Sequence, residues 1–79
     1  MEKSVAVVAI IISDISAVER VNSLLTENRD YVMGRMGIPH LDGYNVISVV
    51  INASQETING LSGKLGMIKG VKSKVLLAK

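Results

Sequence analysis

The residue types best suited to chemistry crowd into one short stretch, Gly34-Arg35-Met36-Gly37-Ile38-Pro39-His40. It holds the only histidine, the only proline and one of the three arginines of the 79-residue chain. His40 has the chemistry of a metal ligand, but a site needs further donors, and the nearest in sequence is Asp42. The chain has no cysteine, which excludes thiolate ligation, a thiol nucleophile and a disulfide brace. Arg35 offers a forked guanidinium that suits a carboxylate or a phosphate. The plainer reading makes His40 a loop residue after proline and Arg35 a strand residue facing solvent or a neighbouring subunit. No Ser-His-Asp or similar constellation assembles around a single histidine, so no catalytic residue, metal or cofactor is expected, and the chain reads as a non-enzyme.

Gly34 and Gly37 predict a bulge or a close backbone approach within a strand. Pro39 is tolerated on a sheet edge or just past the last ladder bond. The stretch therefore predicts a distorted sheet edge running into a turn, where a partner chain or a ligand can be admitted.

The elements that position it follow from hydrophobic periodicity. Val5 to Ile12 is short and rich in β-branched residues, which predicts a strand. A helix follows, with Val18, Val21 and Leu25 on one face. Ser16 and Glu19 stand in capping-box spacing, and Asp14 is a competing cap. Tyr31 to Ile38 predicts the second strand, and residues 40 to 43 a turn signalled by Asp42-Gly43. Tyr44 to Ala53 predicts the third strand. Ser54 caps a second helix carrying Ile58, Leu61 and Leu65, which Gly66 is expected to end in a left-handed conformation. Gly60 and Gly63 inside it each cost roughly 1 kcal/mol relative to alanine, a cost that a close approach of helix to sheet would offset. Val71 to Ala78 predicts the last strand.

Residue n matches residue n+40 in character. Val7, Ala9 and Ile11 fall on Ile47, Val49 and Ile51; Val18, Val21 and Leu25 fall on Ile58, Leu61 and Leu65; Asp14 falls on Ser54. One strand–helix–strand unit is thus used twice. Two such units with right-handed crossovers give an α+β fold, the ferredoxin-like βαββαβ plait. Its four-stranded antiparallel sheet has the order 4-1-3-2, with both helices on one face and residues 1–79 forming a single domain.

Both central strands are apolar on both sides. If Val7, Ala9, Ile11, Ile47, Val49 and Ile51 meet the helices, then Val8, Ile10, Ile12, Val46 and Val50 form an apolar face on the other side. An antiparallel sheet with one wet face alternates apolar with polar residues, and this one does not. A second copy of the chain is the expected cover, in a homodimer or homotetramer.

Charge says less. The net charge is +2, and after Glu56 the only charged residues are Lys64, Lys69, Lys72, Lys74 and Lys79. Lysines on an edge strand guard against unwanted pairing. Without arginine or aromatic residues among them, direct nucleic-acid binding is not expected. The eight-residue run Val5 to Ile12 is too short to span a bilayer and lacks a basic flank and a cleavage site, which predicts a cytoplasmic protein with no membrane partner.

Other chemistries hosted by the plait lack their residues here. A metal-chaperone version needs cysteines after the first strand. An acylphosphatase-like version needs an arginine cradle there. An RNA-recognition version needs aromatics on the central strands, which offer only Tyr44.

The stretch GRMGIPH together with Leu61 to Lys74, LSGKLGMIKGVKSK, closely resembles the family of iron-only ([FeFe]) hydrogenase system regulators, and the likeness covers essentially the whole chain. That family is similar to ACT domains and to the effector-binding domain of the nickel-responsive regulator. The resemblance implies an oligomeric, transcription-linked regulatory module with a small-molecule effector, or a regulatory partner protein, at or near a subunit interface. In ACT-like modules the first strand-to-helix loop receives the ligand, and the matching positions are Ser13, Asp14 and Ile15. Helix-start amides there suit an anion, which Asp14 would oppose unless it caps the helix or meets an amine. No ribbon-helix-helix segment is expected before the first strand, and the nickel-binding set is reduced to His40, so DNA and nickel binding do not carry over. The alternatives are a docking domain without any ligand and a weak nucleic-acid-binding protein that uses the lysine-rich last segment.

Overall fold

The computed structural model describes residues 2–79. Its elements are β1 (Ser4–Ile12), a 3₁₀ turn (Ile15–Ala17), α1 (Val18–Glu27), β2 (Val32–Leu41), β3 (Tyr44–Ala53), α2 (Gln55–Gly66) and β4 (Val71–Leu77). The four strands form one antiparallel sheet in the order β2-β3-β1-β4. This is the expected 4-1-3-2 order of the ferredoxin-like plait, with β1 and β3 central.

The core lies between one sheet face and the two helices. Val21, Leu24 and Leu25 of α1 and Ile58, Leu61 and Leu65 of α2 are buried against Ala6, Val8, Ile10 and Ile12 of β1 and Ile47, Val49 and Ile51 of β3. Each aliphatic side chain so placed contributes on the order of 1.5–3 kcal/mol. β3 thus turns to the helices the face predicted for it, whereas β1 turns the opposite one. Val8, Ile10 and Ile12 are buried, not part of an open face, while Val5 and Ile11 are 49% and 41% exposed. The pairing of Val8 with Val49 and Ile10 with Ile47 requires this, because directly opposed residues share a face.

The physical reason is one extra residue. In the second half the last core residue of the strand, Ala53, directly precedes the cap Ser54; in the first, Ser13 intervenes between Ile12 and the cap Asp14. The helices therefore repeat at 40 residues and the strands at 41. With β1 apolar on both sides, nothing in its own alternation reveals the shift.

Two other expectations are corrected. Gly66 is the last residue of α2, and the left-handed glycine after it is Gly70 (φ +83°). Gly60 and Gly63 make no close approach to the sheet: both are exposed, with nothing within 4 Å of where a Cβ would lie. They sit on the solvent side of α2, opposite Ile58 and Leu65.

The second strand runs three residues further than predicted. It continues through Pro39 and His40 to Leu41, then reverses over Asp42 (φ +49°) and Gly43 (φ +84°). Positive φ at both central residues is the type I′ hairpin turn, whose twist matches that of the strands. β2 is irregular, with register shifts between Val32 and Gly34 and between Ile38 and Leu41. At the second shift Pro39 and His40 stand against Asn45 alone; His40 is at φ +57° and its amide donates to Asn45 Oδ1 at 3.1 Å. The distorted edge read from GRMGIPH is present.

Candidate functional site

The register aligns the open sheet face in rows. Ile38, Val46, Ile11 and Lys72 form one; Met36, Ser48, Ala9 and Lys74 the next; Gly34, Val50, Val7 and Leu76 the third. Of the open face predicted from sequence, Val46 and Val50 lie on it, and Val5, Val7, Ala9 and Ile11 take the places given to Val8, Ile10 and Ile12. Met36 is 61% exposed, Ile38 43% and Leu76 71%. Among the described residues no helix covers this side.

At one end of that face lies a half-open cleft of about 430 Å³. Ile11, Val46 and Leu41 make its apolar surface, and Ser13, Asp42, Tyr44 and Lys72 bring polar groups. Residues from the outer strand β4 and from the β2–β3 turn line the same cavity. The volume lies within the ~300–1,000 Å³ of small-molecule sites, and an apolar wall with a few polar groups is their usual make-up.

The loop beside the cleft is tied down. Asp14 Oδ1 accepts from the amide of Ser16 at 3.0 Å and from its hydroxyl at 2.7 Å. Asp14, and not Ser16, is therefore the cap, and it starts a 3₁₀ turn before α1. The two Ser16 hydrogen bonds, side chain first, hold the Asp14 carboxyl below the usual carboxylate range, helped by Lys69 and opposed by desolvation. Ser13 donates its amide to Gly70 O at 2.8 Å and its hydroxyl to the same oxygen at 3.2 Å. A Cβ at Gly70 would lie 2.5 Å from Asp14 Cβ, so only glycine fits where the two loops touch.

The predicted ligand residues are not brought together. Ser13 lines the cleft, whereas Asp14 and Ile15 do not; Ile15 is 72% exposed beside it in sequence. Arg35 and Gly37 lie on the helix side of β2, in a smaller groove of about 180 Å³ with Asn22, and Arg35 Nη2 donates to Asn22 Oδ1 at 2.8 Å. Gly34 is on the open face, and His40 lines neither cavity. Among the described residues no three His, Asp or Glu side chains gather as a metal site. Leu41, Asp42, Tyr44 and Lys72 were not read as a site. Two signals were available: the Asp42-Gly43 hairpin, which sets Leu41 against Tyr44, and the spacing that puts Lys72 two residues from Lys74 on one strand face.

The lysines do not make one stripe. Lys72 and Lys74 border the open sheet face, while Lys64 lies on α2 in the opposite layer. Among the described residues no helix is long and apolar enough to cross a membrane.

No curated protein matches the sequence. An ACT domain protein from Streptococcus pneumoniae shares the fold, with a TM-score of 0.64 at 18% identity over 95% of this chain and 90% of that one. The solved structure of the uncharacterized protein TM1266 from Thermotoga maritima is similar throughout, with a TM-score of 0.92 and 32% identity over 99% of this chain and 100% of that one. The family model described as "TM1266-like: Iron-only hydrogenase system regulator, putative" matches residues 4–75. On a match of that extent, the chain belongs to the TM1266-like iron-only hydrogenase system regulator family.

Proposed function

We propose that the chain is a non-enzymatic, homo-oligomeric regulatory module of an iron-only hydrogenase system, with a small effector bound in the cleft at the edge of a subunit interface. The observation that carries this reading is the open sheet face. Met36, Ile38, Val46, Val50, Val7, Ile11 and Leu76 spread over its three rows, broken by Ser48 and by Lys72 and Lys74 on the β4 edge. This is more than the scattered single hydrophobes of an ordinary monomer surface. The cleft opens at the border of that face, so a second subunit seated there would help to enclose it. Binding and assembly would then be coupled, since a ligand favours whichever state it contacts more. The family name supports the regulatory role, and the link to transcription would run through a partner protein that recognises the loaded module.

The test joins sedimentation velocity at micromolar concentration with a thermal-shift screen of amino acids, nucleotides and metal ions. The expected result is a dimer or larger assembly, and a melting shift that Lys72→Ala or Tyr44→Ala abolishes. A monomer that no compound alters overturns the proposal. An assembly that stays silent throughout the screen points to the second reading, a docking domain without ligand, which the breadth of the apolar face favours.

A further inference from the structure

We infer that the second copy packs on the open sheet face about a two-fold axis running along the strands, which sets β4 of each chain over β2 of the other. This rests on the reading that a second copy covers that face, and adds which residues meet. Four strands spaced ~4.8 Å apart, with about nine residues rising ~3.4 Å each, give a face of roughly 19 by 30 Å. That is on the scale of the ~800 Å² per partner buried in stable interfaces.

Sheets packed face to face in the aligned manner keep their strands within about 30° of each other. The two-fold axis between identical sheets then lies in the plane of contact, close to the strand direction or close to perpendicular to it. An axis across the strands lays each strand over its own copy. Lys74, in the middle row, then meets Lys74 of the second copy, and two β4 strands carrying Lys72 and Lys74 face each other in a drying interface. Like charges brought together there oppose association.

An axis along the strands keeps each row level and reverses its order, so β4 lies over β2 and β1 over β3. Lys74 then covers Met36, an apolar surface along which its methylenes can lie with the ammonium at the rim. Lys72 comes over the Ile38 end of the first row, beside the turn that carries Asp42, an acid placed to meet it. In the third row Leu76, 71% exposed, comes over Gly34, where the surface has no side chain and nothing within 4 Å of a Cβ. Of these two axes, only the one along the strands sets large against small and cation against acid.

The cysteine-free chain makes this testable by cross-linking. Gly34 and Leu76 of one chain stand on opposite edge strands, roughly three strand spacings or ~14 Å apart, whereas facing residues of two packed sheets are ~10 Å apart. With a thiol-to-thiol linker that spans ~10 Å but not ~14 Å, the Gly34→Cys/Leu76→Cys double variant should give a species of doubled mass, while either single variant and Lys74→Cys should give none above a random-collision control. Cross-linking through Lys74→Cys alone, or failure of the double variant in a protein that sediments as a dimer, overturns the axis and leaves the assembly standing. A wild type that sediments as a monomer overturns both.

Discussion

Gly70 holds two loops together by lacking a side chain. It combines φ +83° with a Cβ position 2.5 Å from Asp14 Cβ, so a larger residue meets backbone strain and a clash with a capped, hydrogen-bonded neighbour. Gly70→Ala should destabilise the fold by roughly 2–4 kcal/mol, read as a lower denaturation midpoint at unchanged slope. Asp14 makes a prediction of a different kind. Its folded pKa is lowered, so its contribution to stability is complete above the unfolded value of about 4 and fades as pH falls through the folded one. A carboxyl-carbon NMR titration should place it below the ordinary aspartate range. Asp14→Asn should lower stability at neutral pH, flatten the acid limb of the stability curve, and change little below the folded pKa.

At the scale of elements, α2 carries glycines where a helix gains from alanine. Gly60 and Gly63 face open space, so Gly60→Ala and Gly63→Ala should each raise stability by about 0.5–1 kcal/mol in thermal or chemical denaturation. A loss instead would show that another surface packs closely on that stripe. Both helices, the Ser54 cap, the hairpin turn and the order of strands were legible, because each rests on local chemistry: a 3.6-residue apolar period, a capping hydroxyl, an Asp-Gly pair. The facing of β1 was not, since Val5 to Ile12 is apolar at every position and the single inserted residue, Ser13, leaves no trace in composition. The cleft was hidden for a related reason. Asp42, Tyr44 and Lys72 come from two separate segments, and their meeting depends on the bend of β2 at Pro39 and His40, which register in three dimensions decides. Arg35 and His40 stood out by type, yet neither lines the cleft.

For the whole molecule, the two sides of one sheet should respond to mutation in opposite ways. Ile10 is fully buried under the helices, and Ile10→Ala should cost about 2–5 kcal/mol. Val50→Lys on the open side should change the stability of the single chain by no more than ~0.5 kcal/mol while shifting the sedimenting species to monomer. The sheet order has a consequence for the two repeated units. β1, from the first unit, runs between β3 and β4 of the second, and β3 runs between β1 and β2 of the first. Neither unit owns a contiguous sheet, so each is completed by a ribbon borrowed from its sibling. Severing the backbone between Asp42 and Gly43 would yield two pieces that cannot stand apart, yet are shaped to find one another and rebuild the parent.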